Sequence, residues 1–136
     1  MKLPKNYTPS TDEPFMNKKQ LEHFRRKLVT WREEIMKESQ ETLQHLQEDS
    51  LKEPDVADRA SAETDWSLEL RTRDRQRKLV SKIDSALGRI DSGEYGYCEV
   101  SGDPISLKRL AARPIATMTI EAQENHEKME KVHRDE

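Results

Sequence analysis

The sequence predicts a mainly α-helical protein, built from a long antiparallel coiled-coil hairpin, a small zinc-ribbon-like globular module and a C-terminal helix. Two stretches without Pro or Gly, 17–49 and 58–87, carry apolar residues at alternating steps of three and four, the spacing of a coiled-coil seam. Apolar residues make up 32% of the 136 residues and charged residues 38%, a balance that suits a narrow seam better than a large compact core.

The N-terminal segment, residues 1–16, holds three prolines among small polar residues. It has too few apolar groups to offset the entropy of ordering unless it docks on another part of the chain. We therefore expect a flexible arm here. The hairpin is expected over 17–92, and the module with its final helix over 93–136.

The first helix is expected from residue 17 to about residue 49. After Ile35 its seam is expected to continue through Ser39, Leu43 and Leu46, a stutter that locally unwinds the supercoil. The earlier part of the seam follows the regular alternation and consists of Leu21, Phe24, Leu28, Trp31 and Ile35.

A turn is predicted at the hairpin tip, near residues 51–60, because Pro54 lacks the donor that would continue a helix. The second helix is expected over 58–87, and Gly88 and Gly93 are expected to mark its end. Its seam is expected to hold Leu70, Val80, Ile83, Leu87 and Ile90. Between Leu70 and Val80 the corresponding seam positions are Arg73 and Arg77, with Arg71, Arg75 and Lys78 alongside, so the middle of this helix is unusually basic.

The last third of the chain contains the single cysteine, Cys98, in a position that resembles the first knuckle of a zinc ribbon. A structural zinc site needs four ligands, commonly in two closely spaced pairs. Ser101 stands where the first pair would be completed, and Thr119 and Ala122 stand where the opposite pair belongs. We therefore expect no bound zinc, so the burial of apolar side chains alone has to hold this module together. A final helix is expected over about 119–133.

Other readings of this region stay open. A lone thiol is more often packed and inert than reactive, although Cys98 would sense oxidation if its surroundings lowered its pKa. His126 and His133 are more typical of surface residues than of metal ligands, because their separation of seven residues is not a recurrent zinc spacing.

Composition excludes several classes of function. The formal charge is −3, from 24 Lys and Arg against 27 Asp and Glu, whereas a duplex-binding domain usually has a basic excess. No apolar run approaches the roughly 20 residues that span a bilayer. With one thiol and no sign of a secretion signal, we expect a cytoplasmic, monomeric protein that neither inserts in a membrane nor binds DNA in a sequence-specific way.

Two charged clusters are candidates for function. At the tip, Asp55 and Asp58 suit the capping of the second helix, and they also suit approach to a metal ion or catalytic centre in another protein. The basic residues near the hairpin base either only solubilise the surface or bind a polyphosphate. These basic residues are Lys78, Lys82, Lys108, Arg109 and Arg113.

Four segments together resemble the DksA family of bacterial transcription factors: DVADRA at 55–60, SLELRTRDRQRKL at 67–79, GYCE at 96–99 and RLAARP at 109–114. The resemblance implies a regulator that inserts its hairpin into the secondary channel of RNA polymerase, without catalysing a reaction. It implies that Asp55, Asp58 and Ala60 form the functional tip and that Arg75 contacts the channel rim. It also implies that the alarmone ppGpp binds at the polymerase interface, where Leu79, Lys82 and Arg113 form the factor's side.

Two departures from the family pattern alter these expectations. At the four positions where the family pattern has zinc-binding cysteines, this chain has Cys98, Ser101, Thr119 and Ala122. It therefore resembles a cysteine-poor, zinc-independent member of the family. Gln123 stands where the pattern has a lysine in the alarmone site, which predicts weaker or altered coupling to ppGpp. The alternatives are a Gre-like transcript cleavage factor, whose tip carboxylates would recruit magnesium, and a structural coiled-coil adaptor.

Overall fold

The computed structural model describes residues 2–50 and 56–135, and it describes side chains over 2–48 and 63–133. Within these residues the chain forms four helices, α1 (Lys18–Ser50), α2 (Val56–Ser92), α3 (Leu107–Ala112) and α4 (Ile120–Asp135). The described part holds no strand, only an isolated antiparallel bridge between Tyr97 and Pro104. The prediction of a mainly helical protein with a long helical hairpin is confirmed.

The end of α2 differs from the prediction. Gly88 lies inside the helix, which continues to Ser92. Gly93 then adopts a positive φ of 82°, its N–H bonds to the carbonyl of Ile90, and the N–H of Glu94 bonds to the carbonyl of Arg89. This pair of hydrogen bonds is a Schellman cap, which needs a left-handed residue. Gly93 therefore ends the helix, and the prediction that Gly88 helps to end it is wrong.

The chain divides into two compact units, one formed by 1–28 and 85–136 and the other by 29–84. In the second unit, ion pairs join α1 to α2 between Arg32 and Asp84 (2.8 Å) and between His45 and Glu69 (3.3 Å). The residue numbers in these pairs add up to 116 and 114, as an antiparallel pairing requires. Because the pairs are largely exposed they contribute little stability, but they define the register of the hairpin.

The α1 seam in this unit departs from the predicted stutter. Ile35 and Leu46 are buried, and Ser39 and Thr42 between them are half-buried. Leu43 is 37% exposed, so its predicted place in the seam is wrong. The seam advances by steps of four, three and four, because the helix keeps its regular phase and the polar Thr42 falls on the inner face.

The α2 seam in the same unit is polar where an apolar residue was expected. Leu70 is 50% exposed, so its predicted place in the seam is wrong as well. The half-buried positions that form the seam here are Trp66, Glu69, Arg73 and Gln76, at steps of three, four and three. This spacing continues the heptad phase of the second half of the helix, so the packing phase overrides the local pattern of apolar residues.

The unit formed by 1–28 and 85–136 holds the module's core. The Phe24 and Tyr95 rings meet with centroids 5.6 Å apart, and the buried Tyr95 hydroxyl donates a hydrogen bond to the carbonyl of Pro114 (2.7 Å). A short helix, α3, which the sequence pattern did not predict, is capped at its N-terminus by Ser106, whose side chain accepts the N–H of Arg109. The remaining buried apolar residues of this unit are Met16, Leu28, Ala86, Ile90, Cys98, Ile105, Leu110, Ile115 and Ala116.

The N-terminal segment makes defined contacts in this unit. Met16 is buried against Gly96, and the Phe15 ring meets the Tyr97 ring edge-on at 5.4 Å. The fully buried Gln20 accepts the Met16 N–H (2.8 Å) and donates to the Ser10 carbonyl (3.1 Å). The flexibility of residues 1–16 stays a prediction, and these contacts give a physical reason to expect order instead.

A second set of bonds closes the segment on itself. The Tyr7 hydroxyl donates to Glu13 (2.9 Å), and Asn17 donates to the same carboxylate (3.3 Å). Burial and the Glu13 carboxylate raise the pKa of Tyr7 to about 12, and the hydrogen bond from Tyr7 lowers the pKa of Glu13.

Among the described residues, no helix is both long and apolar enough to cross a membrane.

Candidate functional site

The predicted tip falls largely outside the residues that the structure describes. Asp55 lies outside them. Asp58 and Ala60 belong to the first turns of α2, but their side chains are outside the described set. The functional role of these three residues therefore stays a prediction.

One face of α2 gathers several of the predicted contact residues. Leu68, Thr72, Arg75, Leu79 and Lys82 follow each other at steps of four, three, four and three, so they share one side of the helix. We call this set the Arg75 face. Leu68 is 55% exposed, and Arg75 and Lys82 are exposed as well. The face therefore offers apolar and positively charged groups side by side to a partner.

Local hydrogen bonds orient the middle of the Arg75 face. The Thr72 hydroxyl donates to the Leu68 carbonyl (3.0 Å), which fixes its oxygen. A guanidinium N–H of Arg75 donates to that oxygen (3.2 Å). Within the part of the chain that the structure describes, this is the bond recorded for the guanidinium, so its other donors can bind a carboxylate in another protein.

Arg113 belongs to the other unit, so its predicted grouping with Leu79 and Lys82 stays a prediction. It is exposed and follows the last residue of α3, where its N–H bonds to the Arg109 carbonyl (2.7 Å). The side chain of Arg109 is used elsewhere, because it donates to the Met118 carbonyl (2.8 Å).

Gln123, which stands in place of the family lysine, lies in α4. Its amide donates to the Glu127 carboxylate (3.2 Å). The position is therefore neutral and already holds a hydrogen bond within its own helix. The altered coupling to ppGpp stays a prediction, for which the missing positive charge at this position is the reason.

Backbone hydrogen bonds close a tight loop around Cys98. The Cys98 N–H donates to the Asp103 carbonyl (2.8 Å), and the Gly102 N–H donates to the Cys98 carbonyl (2.9 Å). Gly96 and Gly102 take positive φ values of 93° and 76°, which residues with a side chain rarely adopt. The thiol is buried, with 4% of the residue exposed.

The surroundings of the Cys98 thiol stabilise its thiolate. Burial raises its pKa, but hydrogen bonds from the Ser101 hydroxyl and from the N–H groups of Ser101, Thr119 and Val100 lower the pKa by more. The net result is a pKa of about 7, against an ordinary value of 9.0. Hydrogen-bond donors of the kind that surround a metal-bound cysteine sulfur here stabilise the thiolate of the free Cys98.

The donor set at the four zinc positions does not fit zinc. Ala122 has no ligand atom, and the Thr119 hydroxyl accepts the Ala122 N–H (3.2 Å). Within the described residues, no three His, Cys, Asp or Glu side chains are grouped so as to hold a metal. His126 is instead paired with Glu130 (3.1 Å). The expected absence of zinc stays a prediction that only metal analysis tests.

Some residues of the α2 seam hold buried polar atoms that the sequence pattern did not predict. Arg73 was expected on the seam and is half-buried, whereas Arg77, which was also expected there, is exposed, so that prediction is wrong. Trp66 Nε1, Glu69 Oε2, Arg73 Nε and Gln76 Oε1 are buried without a hydrogen-bond partner in the described part of the chain. The signal was available, because counting back seven residues from Val80 and Ile83 reaches Arg73 and Gln76. Strict heptad phase would have placed polar side chains between the helices.

Comparison with known protein families matches two models along the chain. Residues 20–90 match the family "DnaK suppressor protein DksA, N-terminal domain". Residues 93–128 match the family "Prokaryotic dksA/traR C4-type zinc finger". Of the four cysteines that a C4 finger requires, this segment retains Cys98 alone.

Individual proteins with similar sequences cover most of the chain. An RNA polymerase-binding transcription factor DksA of Caulobacter vibrioides is 63% identical over 131 residues, which is 96% of this chain and 92% of the relative. The protein with the same name in Escherichia coli K12 is 44% identical over 85% of this chain and 76% of its own length. The solved structure of transcription factor DksA2 from Pseudomonas aeruginosa is 39% identical, with a TM-score of 0.81, over 88% of this chain and 95% of that one.

Proposed function

The chain belongs to the DksA family, and from this premise we propose that it binds bacterial RNA polymerase directly and regulates the initiation of transcription. Its relatives carry the name RNA polymerase-binding transcription factor. The observation in the structure that best supports this function is the Arg75 face, which presents exposed apolar and cationic side chains on one side of a long helix.

The hairpin has the dimensions that such a function requires. With 33 residues, α1 has a helical rise of about 50 Å. The second helix, α2, has 37 residues and can carry Asp58 and Ala60, near the tip, far from the residues at the base. In the proposed complex Arg75 contacts the rim of the secondary channel, and the tip with Asp55 lies near the polymerase active centre.

Regulation in this proposal is thermodynamic and involves no covalent step. A factor that binds one conformation of polymerase more tightly than another shifts the equilibrium between them. A difference of a few kcal/mol is enough to change the occupancy of short-lived promoter complexes. The protein is therefore proposed to act without enzymatic activity of its own.

The alarmone ppGpp is proposed as a co-regulator at the polymerase interface. Lys82 and Arg113 would supply positive charge to its phosphates, and Leu79 would pack beside them. Gln123 removes one positive charge from this set, so we expect ppGpp to strengthen inhibition less than it does with the E. coli relative. Transcription with and without ppGpp, comparing this protein with its Gln123→Lys variant, tests the point.

The decisive experiment for the function is transcription by purified bacterial polymerase from an unstable ribosomal promoter. We expect inhibition by the wild type, and we expect Asp58→Asn to abolish inhibition while leaving helicity and polymerase binding intact. Asp65→Asn is the matched control, because it removes the same charge from an exposed position on the same helix. Full inhibition by Asp58→Asn would contradict the assignment of the tip.

Two alternatives predict different results. A Gre-like factor would shorten the transcript in stalled elongation complexes without inhibiting the promoter. A structural adaptor would not bind polymerase, and it would self-associate in solution. We expect neither transcript shortening nor self-association.

A further inference from the structure

A polar groove lies between the two helices of the unit formed by 29–84. It has a volume of about 270 Å³. The groove runs beside the stretch of the seam where Ser39 and Gln76 replace apolar residues, so it marks a gap in the apolar packing. Its lining consists of Arg32, Ile35, Met36 and Ser39 from α1 and Arg73, Gln76, Arg77 and Val80 from α2.

The electrostatics of the groove are one-sided. Three arginines line it, and no acidic side chain does. Arg32 is partly neutralised by its ion pair with Asp84 (2.8 Å). Arg73 and Arg77 form no ion pair with the residues that the structure describes, so the groove carries an excess of positive charge.

Two buried polar atoms in the groove residues also lack partners. Arg73 Nε and Gln76 Oε1 are buried without a hydrogen bond inside the described residues. A buried donor and a buried acceptor in this state are unfavourable. An acceptor for the guanidinium and a donor for the amide carbonyl would remove this cost, and a bound anion with its water can supply both.

From these observations we infer that the groove is a binding site for an oxyanion, a phosphate or carboxylate group. The planar guanidinium of Arg73 has the geometry that binds two oxygens of such a group. A hydrogen phosphate, or a water held by the anion, donates the hydrogen bond that Gln76 Oε1 accepts. Cations are disfavoured, because the groove has no carboxylate to offset the repulsion of the arginines.

The oxyanion has two sources, a free phosphate group or an acidic side chain of the proposed polymerase partner. The second source rests on the proposed function, since α2, which supplies half of the groove lining, also carries Arg75. The first does not, so the two are tested separately.

The first arm of the experiment titrates the full-length protein with inorganic phosphate at constant ionic strength, with chloride as the replaced anion. The readout is the NMR signal of the arginine Nε–Hε groups. We expect a saturable shift of the Arg73 signal. We expect Arg73→Gln to weaken phosphate binding by about tenfold or more, because one charge-assisted hydrogen bond is lost. Binding to this variant is followed on the Arg77 signal. Arg71→Gln is the matched control, because it removes the same charge from an exposed position outside the groove.

The variant Arg73→Lys provides a second test that preserves the charge. It removes the planar fork, so we expect weakening close to that of Arg73→Gln, with helicity by circular dichroism unchanged. A non-saturable shift, or equal weakening by Arg71→Gln and Arg73→Gln, would mean only diffuse attraction of anions and would overturn the inference.

The second arm identifies the source. If an acidic side chain of polymerase occupies the groove, phosphate competes with polymerase binding by the wild type and not by Arg73→Gln. If the natural anion is free, phosphate leaves polymerase binding unchanged while the first arm still shows saturable binding. Failure of the protein to bind polymerase at all refutes the proposed function and leaves the first arm as an independent test of the groove.

Discussion

The contact between Gly96 and Met16 makes a prediction that can be worked out from the structure. A Cβ atom at Gly96 would lie 3.0 Å from Met16 Cγ, 3.1 Å from Sδ and 3.2 Å from Cε. Gly96 also has a φ of 93°, a region that residues with a side chain rarely adopt. Gly96→Ala therefore combines backbone strain of about 1–2 kcal/mol with overpacking of about 1–3 kcal/mol. We expect a total loss of about 2–5 kcal/mol in the free energy of unfolding.

Two other glycines separate these contributions. Gly102 has a φ of 76° and nothing within 4 Å of its Cβ position, so Gly102→Ala should cost only the backbone strain, about 1–2 kcal/mol. Gly88 lies inside α2 with the same open surroundings. Gly88→Ala should therefore stabilise the protein by about 0.5–1 kcal/mol, because alanine is the better helix former.

The assay is urea unfolding followed by circular dichroism, with each variant made also in a Met16→Ala background. If the clash is real, Gly96→Ala costs less in that background, with a coupling free energy of about 1–3 kcal/mol. The cost of Gly102→Ala should be the same in both backgrounds. Equal costs for Gly96→Ala and Gly102→Ala, with no coupling to Met16, would refute the reasoning and favour a flexible arm.

Three further predictions follow from named contacts. Ser101→Ala removes a hydroxyl donor from the Cys98 thiolate, so the pKa of Cys98, about 7 in the wild type, should rise. The pH dependence of the ultraviolet absorbance of the thiolate measures this pKa without a reagent that must reach the buried sulfur, and an unchanged pKa would contradict the assigned cause. Tyr7 lowers the pKa of Glu13 below its ordinary 4.5, so this bond's contribution to stability is present above pH 4.5 and is lost as the pH falls through the lower folded pKa. Between about pH 6 and about pH 3 the free energy of unfolding, measured with urea, should therefore fall less for Tyr7→Phe than for the wild type. The same pH profile for both proteins would count against the bond. Gln76→Leu replaces a buried unpartnered amide by an apolar group and should raise the free energy of unfolding by about 1–2 kcal/mol; a lower value in thermal unfolding would show that Gln76 is well solvated in the groove.

The helices could be predicted closely from the sequence, because their signals are local. The proline-free and glycine-free stretch from Asn17 predicts α1 to within one residue at each end. The end of α2 was less certain, because two glycines stand five residues apart. Only Gly93, with its cap, meets the backbone requirement for a stop, while Gly88 sits on an exposed part of the helix where its cost is small.

The seam was predicted well only where apolar residues occupy the heptad phase. Leu43 and Leu70 are apolar and were expected in the seam, but both are exposed. The phase of each long helix is set by the residues packed along its whole length, so polar side chains such as Thr42 and Arg73 are carried to the inner face. The polar groove and its unpartnered atoms follow from this phase.

The sequence by itself determined the hairpin, its basic helix, the resemblance to the DksA family and the lack of a complete zinc ligand set, because these depend on residue identity and spacing along the chain. Only the tertiary structure decided that Met16 packs on Gly96, that four donors surround the Cys98 sulfur and that Arg73 and Gln76 meet in one groove. Each of these contacts joins residues or surfaces whose proximity depends on packing geometry, which no local pattern in the sequence encodes.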